Sequence, residues 1–320
     1  MLGCYDALPR RVLLRIGLYF DGPLPVRRYG GTERVIVWLA RGLRELGHDP
    51  LILAREGTRL GELPVHELSP STIRRMAQAS DFRLDPSIPD GIDVIHFHSA
   101  TAGSLELPHL TTIHGNARPG RFGADHVFVS RDHMVRMWGR HFVHNGIDPA
   151  DYEFRTNKST DLLFLGLASR RVKGVDRAIR IARKADRRLC IAGGWRPSLD
   201  RRIHWAGMVD NERKRKLLSE ACALLNPIRW LEPFGLVVVE ALVSGTPVLA
   251  SPLGAMNELV TPQVGALCED DASFLEAIER IGEWSPDACR QRVLDHFTHT
   301  IMAQNYLRLY ERAIDGTLML

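Results

Sequence analysis

The stretch Trp230-Leu231-Glu232-Pro233-Phe234-Gly235-Leu236-Val237-Val238-Val239-Glu240-Ala241-Leu242 is apolar almost throughout, and two carboxylates interrupt it. Its Glu-Pro-Phe-Gly beginning resembles a helix start, and Gly245-Thr246-Pro247 resembles the corresponding stop. A helix between them would be buried on all sides, because it has no polar face. Its three valines have better strand than helix propensity, so a buried strand is the alternative. In both cases Glu240 is a lone carboxylate among apolar neighbours. It therefore needs donors, either an arginine or a ligand's pair of hydroxyls. Glu232 falls just before the helix start, where free first-turn N–H groups face an anion.

Outward from this stretch, apolar runs of four to eight residues alternate with helical patterns, which predicts an α/β protein with parallel sheets. The first strand is expected over Val12 to Phe20, and a loop with Tyr29-Gly30-Gly31-Thr32 follows. The next helix runs to about Leu46, with Thr32 as N-cap and Gly47 as stop. Strands follow at Asp49–Ala54, Asp93–His98, Leu110–His114 and His126–Ser130. The pattern restarts with strand Asp161–Ala168, helix Gly174–Ala185, and strands Arg188–Ala192 and Ile203–Trp205. A helix from about Asn211 then leads into strand Ala223–Asn226. Two halves separated near Asn145-Gly146-Ile147-Asp148 predict twin Rossmann-like domains. Ligands of open α/β sheets bind at strand carboxyl ends, so the cleft between the halves is the expected site.

The 320 residues are 45% hydrophobic and 25% charged, which disfavours disorder, collagen and coiled coil. No apolar run approaches the ~20 residues of a membrane span, and the N-terminus lacks a signal-peptide core. Cys4, Cys190, Cys222, Cys268 and Cys289 form no CxxC pair, which suits a reducing cytoplasm. Five lysines stand against 37 arginines, together 42, for a net charge of +4. The arginines alternate with acids, so no nucleic-acid stripe is indicated.

Glu232 and Glu240 form an E-x7-E pair, and Trp230 to Ser251 resembles the signature of the family 4 retaining glycosyltransferases of GT-B fold. The resemblance extends through Tyr29-Gly30-Gly31-Thr32-Glu33-Arg34, Glu45-Leu46-Gly47-His48, Thr111-Thr112-Ile113-His114-Gly115, Asn145-Gly146-Ile147-Asp148 and Val172-Lys173-Gly174-Val175-Asp176. It implies an acceptor-side domain over 1–147, a donor-binding domain over 148–298, and a terminal helix over 299–320 that crosses back. Its implied roles give Glu240 the ribose hydroxyls and Glu232 a sugar hydroxyl. Backbone amides at Phe234, Gly235 and Leu236 would contact the sugar and diphosphate, and Lys173 would neutralise the diphosphate. Gly30 and Gly31 would approach from the other domain, His114 would line the sugar pocket, and residues around Trp205 would frame the base. The resemblance also implies no cofactor and no obligatory metal, and the chain offers no convincing DxD motif. One position departs from the family pattern. The arginine usual six residues before the lysine is Leu167 here, and Arg170 or Arg171 is the expected replacement.

The expected function is sugar transfer, with retention, from a UDP-sugar or GDP-sugar to a small-molecule, glycan or lipid-linked acceptor. A nucleotide-sugar-binding protein with impaired catalysis is the alternative that Leu167 suggests, and a GT-B epimerase or hydrolase is the other. His96 and His98 share one strand face and with His114 suggest a metal site, but one cleft-facing histidine with neighbours satisfied by backbone groups is the expected arrangement. Arg213-Lys214-Arg215-Lys216 reads as a solvated helix face, with weak contact to anionic lipid as its functional alternative. Trp38 is at core spacing, and Trp138 is assigned to the acceptor side.

Overall fold

Short apolar runs build two sheets in which every strand pair is parallel. The computed structural model describes residues 13–25, 30–81 and 83–318. Cys4, Val12 and Tyr29 lie outside the described residues. The first sheet contains β1 (Arg15–Phe20), β2 (Asp49–Arg55), β3 (Val65–Leu68), β4 (Val94–Phe97), β5 (His109–Ile113), β6 (His126–Phe128) and β7 (His141–Phe142), in the order β3-β2-β1-β4-β5-β6-β7. Helices α1 (Thr32–Glu45), α2 (Pro70–Gln78) and α3 (Arg131–Met137) connect its strands. The second sheet contains β8 (Leu162–Leu165), β9 (Leu189–Ala192), β10 (Ile203–Gly207), β11 (Ala223–Asn226), β12 (Val248–Ala250) and β13 (Gly265–Leu267), in the order β10-β9-β8-β11-β12-β13. Its helices are α4 (Val175–Lys184), α5 (Asn211–Glu220), α6 (Leu236–Val243), α7 (Met256–Leu259), α8 (Asp271–Glu279) and α9 (Pro286–His296). A long last helix, α10 (His299–Ile314), packs against α1, β4 and β5 of the first sheet. Parallel sheets need both faces covered, and the central strands are accordingly mostly buried and apolar, with His96 in β4 and Asn226 in β11 among the polar exceptions.

The expected alternation is present, with one open alternative decided and two differences. The valine-rich stretch is the helix α6: Val238 to Val243 are all buried, and burial outweighs the strand propensity of valine. The cap of α1 is Gly31, with Thr32 as its first helical residue and no side-chain cap. Gly31 comes so close to α6 that an added Cβ would stand 3.2 Å from Leu236 Cδ1. The pair β3 and α2 carries too short a pattern to be read from sequence, since β3 has four residues and α2 only one buried side chain. Among the described residues, no helix is long and apolar enough to cross a membrane.

The chain passes between the sheets twice, and the two crossings pair with each other. Ile147 N–H donates to Phe297 O at 2.9 Å, and His299 N–H donates to Ile147 O at 2.9 Å. Beyond this junction α10 lies in a groove that only a glycine in α1 leaves open, because a Cβ on Gly42 would collide with the His299 carbonyl. Gly42→Val is therefore expected to cost about 1–3 kcal/mol through overpacking. A calorimetric Tm equal to that of the parent protein would contradict this account of how α10 docks.

Candidate active site

The site forms where the starts of α1 and α6 face each other between the two sheets. Gly235 caps α6 with φ 103°, a left-handed conformation that suits glycine, and a Cβ there would also meet Met256 Cε at 2.5 Å. No side chain caps this end, so the first-turn amides of Leu236 and Val237 stand at the wall of a cavity of about 230 Å³. Gly31, Arg34, His114, Lys173 and Glu232 line the same cavity.

Glu240 sits one turn into α6 and is only 2% exposed. Its Oε1 accepts three hydrogen bonds, from Arg34 Nη1 at 2.5 Å, Tyr152 Oη at 2.7 Å and Lys214 Nζ at 2.8 Å. The donors come from α1, from the segment just after the first crossing, and from α5. Burial alone would push the carboxyl pKa up, but the Arg34 and Lys214 charges and the hydrogen bonds outweigh it and hold the group down at about 2. Glu240 is therefore an anion at neutral pH, as its charged partners require. In turn, burial pushes the Lys214 pKa down, and burial with the nearby Glu240 charge pushes Tyr152 well above its ordinary range.

Lys173 follows β8 in a short 3-10 turn that Gly174 ends in a left-handed conformation, φ 78°. Its Nζ donates to Glu232 Oε2 at 2.7 Å and lies 4.6 Å from the centre of the Trp230 ring. Trp230 Nε1 donates to the same Glu232 oxygen at 2.9 Å. Thus the sequence-assigned lysine and carboxylate neutralise each other at the cavity wall.

His114 lines the cavity and is bonded behind, through Nε2, to His98 Nδ1 at 2.9 Å. The expectation of backbone partners for His96 and His98 is corrected, because side chains bond both nitrogens of His96 and Nδ1 of His98. His96 Nδ1 meets Tyr310 Oη at 2.7 Å, and its Nε2 meets Thr112 Oγ1 at 2.6 Å. Both tyrosines of this cluster, Tyr306 and Tyr310, arrive on α10, and only tertiary folding brings them near β4. Burial pushes the pKa of His114 down to about 3 and those of His96 and His98 well below their ordinary value, so these imidazoles are neutral. Among the described residues, no group of three or more His, Cys, Asp or Glu side chains is arranged to hold a metal ion.

The structure brings together Glu232, Glu240, Lys173, His114, Phe234, Gly235, Leu236 and Gly31 around one cavity. Gly30 adjoins them, and its carbonyl accepts from Arg34 Nε at 2.8 Å. Arg170 and Arg171 are exposed and stand outside this lining, and Trp205 packs into the core of the second sheet. Met208 and Val209, just past β10, line the cavity where Trp205 does not. Sequence reasoning missed Arg34, Tyr152 and Lys214. Lys214 belongs to the run read as a solvated face, yet it is buried and turned inward against Glu240. The available signal was the need of Glu240 for a cation, without any indication of which one. Trp38 is in the core as expected, and Trp138 is 75% exposed.

Contacts between the two halves close the lower rim. Glu258 accepts from the N–H groups of Arg131 and Asp132 at the start of α3, at 3.0 and 2.7 Å, and pairs with His144 Nε2 at 2.7 Å. Ser130 Oγ donates to Pro233 O at 2.6 Å, which ties α3 to the segment leading into α6.

Residues 29–149 match the family model Glycosyltransferase Family 4, and residues 159–283 match Glycosyl transferases group 1. The chain belongs to the family 4 glycosyltransferases. It is an enzyme of GT-B fold, built on the two parallel-sheet domains described above. A glycogen synthase of Mycobacterium tuberculosis is 28% identical over 90% of this chain and 92% of its own. A phosphatidyl-myo-inositol mannosyltransferase of Mycolicibacterium smegmatis is 25% identical over 93% of this chain and 94% of its own. Among solved structures, AviGT4, a glycosyltransferase involved in avilamycin A biosynthesis, is 26% identical and superposes with a TM-score of 0.77. That match covers 95% of this glycosyltransferase and 98% of AviGT4.

Proposed function

We propose that this glycosyltransferase moves a sugar from a nucleoside diphosphate sugar, with UDP-sugars placed before GDP-sugars, to an acceptor hydroxyl with retention at the anomeric carbon. The carrying observation is the order of groups along the segment that enters and forms α6: Glu232 before the helix, then the open amides of Leu236 and Val237, then Glu240, with Lys173 paired to Glu232. A sugar hydroxyl, a diphosphate and a ribose need a carboxylate, an anion site and a second carboxylate in that order. Donor binding exchanges the Lys173–Glu232 pair for two ligand contacts, a phosphate oxygen on Lys173 and a sugar hydroxyl on Glu232. Neither side of the pair is then left unpartnered.

In the reaction the acceptor hydroxyl attacks from the face on which the phosphate leaves, and a leaving-phosphate oxygen takes its proton. Lys173 and the α6 amides carry the charge that grows on the departing diphosphate. Glu240 is held by three donors and Glu232 by two, which suits holding a ligand better than attacking one. Neutral His114 orients a sugar hydroxyl. The reading assigns charge neutralisation to these protein groups, so transfer should proceed in EDTA.

Calorimetric titration with UDP tests the site. Lys173→Ala and Glu240→Gln should each weaken binding, and Lys173→Ala should lower kcat roughly 10²–10³-fold, as loss of an oxyanion donor does. Unchanged affinity in both variants would remove the assignment. If product forms from the donor as fast without acceptor as with it, the protein is an epimerase or hydrolase instead.

A further inference from the structure

The cavity is lined by the cations Arg34, Lys173 and Lys214 and by the carboxylates Glu232 and Glu240. Leu167, two residues past β8, supplies no cation where the family resemblance implies an arginine, and Arg170 and Arg171 are exposed beyond the lining. A departing diphosphate therefore meets Lys173 as the near cation of the second domain, because the buried Lys214 is committed to Glu240. Arg34 stands on the opposite wall. Its Nε is anchored on the Gly30 carbonyl, and its guanidinium carbon lies 5.7 Å over the Trp38 ring. The neighbouring Gly31 is in near contact with Leu236, so the guanidinium sits where the starts of α1 and α6 converge.

We propose that Arg34 is the second cation of the diphosphate site, supplied by the first domain in place of the arginine that Leu167 leaves out. The inference rests on the nucleotide-sugar reading above. Glu240 keeps Lys214 and Tyr152 on the same oxygen, so Arg34 is the partner it can release when ribose hydroxyls arrive. At 27% its side chain is more exposed than that of Lys214, at 11%. A guanidinium presents a planar fork that matches phosphate oxygens in pairs, whereas an ammonium is a point charge. In the ligand-free protein the Arg34–Glu240 pair is thus one of the contacts that join the domains. With donor bound, the same arginine bridges the domains through the diphosphate. Stabilisation of the leaving group then depends on closure, since the two cations belong to opposite walls.

The test compares UDP, GDP and dTDP with the matching monophosphates by calorimetry on the full chain. For the tightest-bound diphosphate, Arg34→Gln should weaken binding roughly 10- to 100-fold while affecting its monophosphate much less. Adding Leu167→Arg to Arg34→Gln should restore the diphosphate preference. If Arg34→Gln does not fold, Arg34→Lys should show the same loss of preference in smaller measure. An arginine that only orients Glu240 for the ribose would weaken diphosphate and monophosphate equally, and that result overturns the inference. If Lys173→Ala and Glu240→Gln weaken binding while the Arg34 variants leave the preference intact, this inference fails and the donor reading survives. If the parent protein binds none of the nucleotides, both fail.

Discussion

Glu240→Ala should cost the folded protein about 3–5 kcal/mol, the range found when one partner of a buried ion pair is removed. The reason lies in what remains. Lys214 has a side chain only 11% exposed and loses its paired charge, and Tyr152 loses the acceptor of its buried hydroxyl. Arg34, at 27% exposure, escapes more easily. A loss of this size is a large share of the 5–15 kcal/mol that folded domains usually have in hand. Glu240→Gln keeps the shape and one acceptor, so its cost should be smaller. Lys214→Met added to Glu240→Ala should recover part of the loss, because it removes the stranded charge. The measurement is the thermal midpoint of five proteins: the parent, Glu240→Ala, Glu240→Gln, Lys214→Met and the double variant. A Glu240→Ala midpoint equal to that of the parent, or a double variant as unstable as the sum of the singles, would refute the buried-charge account.

The second large effect is acid unfolding, driven by imidazoles that the fold keeps neutral. Burial depresses His114 to about 3 and His133 to about 4, the latter with help from Arg136, and it depresses His96 and His98 as well. The unfolded chain takes up protons at these histidines below about 6.5 while the folded protein does not. Their contribution is thus fully present above pH 6.5 and falls with pH until the folded values are reached. Each histidine costs about 1.4 kcal/mol per pH unit in that window, so four remove on the order of 5 kcal/mol per unit. Unfolding is expected between about pH 4 and 6. Glu240 has the opposite ionisation but the same direction of effect, since its contribution holds above 4.5 and is lost only toward 2. Near-ultraviolet circular dichroism against pH reads the transition. His98→Asn should move it to lower pH, and native tertiary signal retained at pH 4 would contradict the network's role.

The family, the α/β alternation and the position of the cleft were legible because they rest on local patterns. Apolar runs of period two or 3.6 survive in any tertiary setting, Glu232 and Glu240 stood out as carboxylates in an apolar run, and the family resemblance singled out Lys173. Even the burial of Glu240 was evident, since a carboxylate amid Leu, Val and Ala has no route to water. The identity of its partners was not. Arg34 is 206 residues away, and Lys214 sits in a run of charges whose alternation looks solvated until α5 is rolled against α6. The tyrosines that satisfy His96 and Thr112 arrive on α10, about 200 residues downstream. The same holds for α6 itself, where valine's propensity and the observed helix disagree and burial decides.

The sequence by itself determined that Glu240, a carboxylate in an apolar run, needs donors, and the family resemblance set Lys173 as the expected partner of a diphosphate. Only the tertiary structure decided that one of those donors comes from the opposite domain and that Arg170 and Arg171 stay outside. Local pattern reports what a side chain requires, because burial and helix ends follow from neighbours in the chain. The group that meets the requirement is chosen by packing between elements, and that choice leaves no mark at short range.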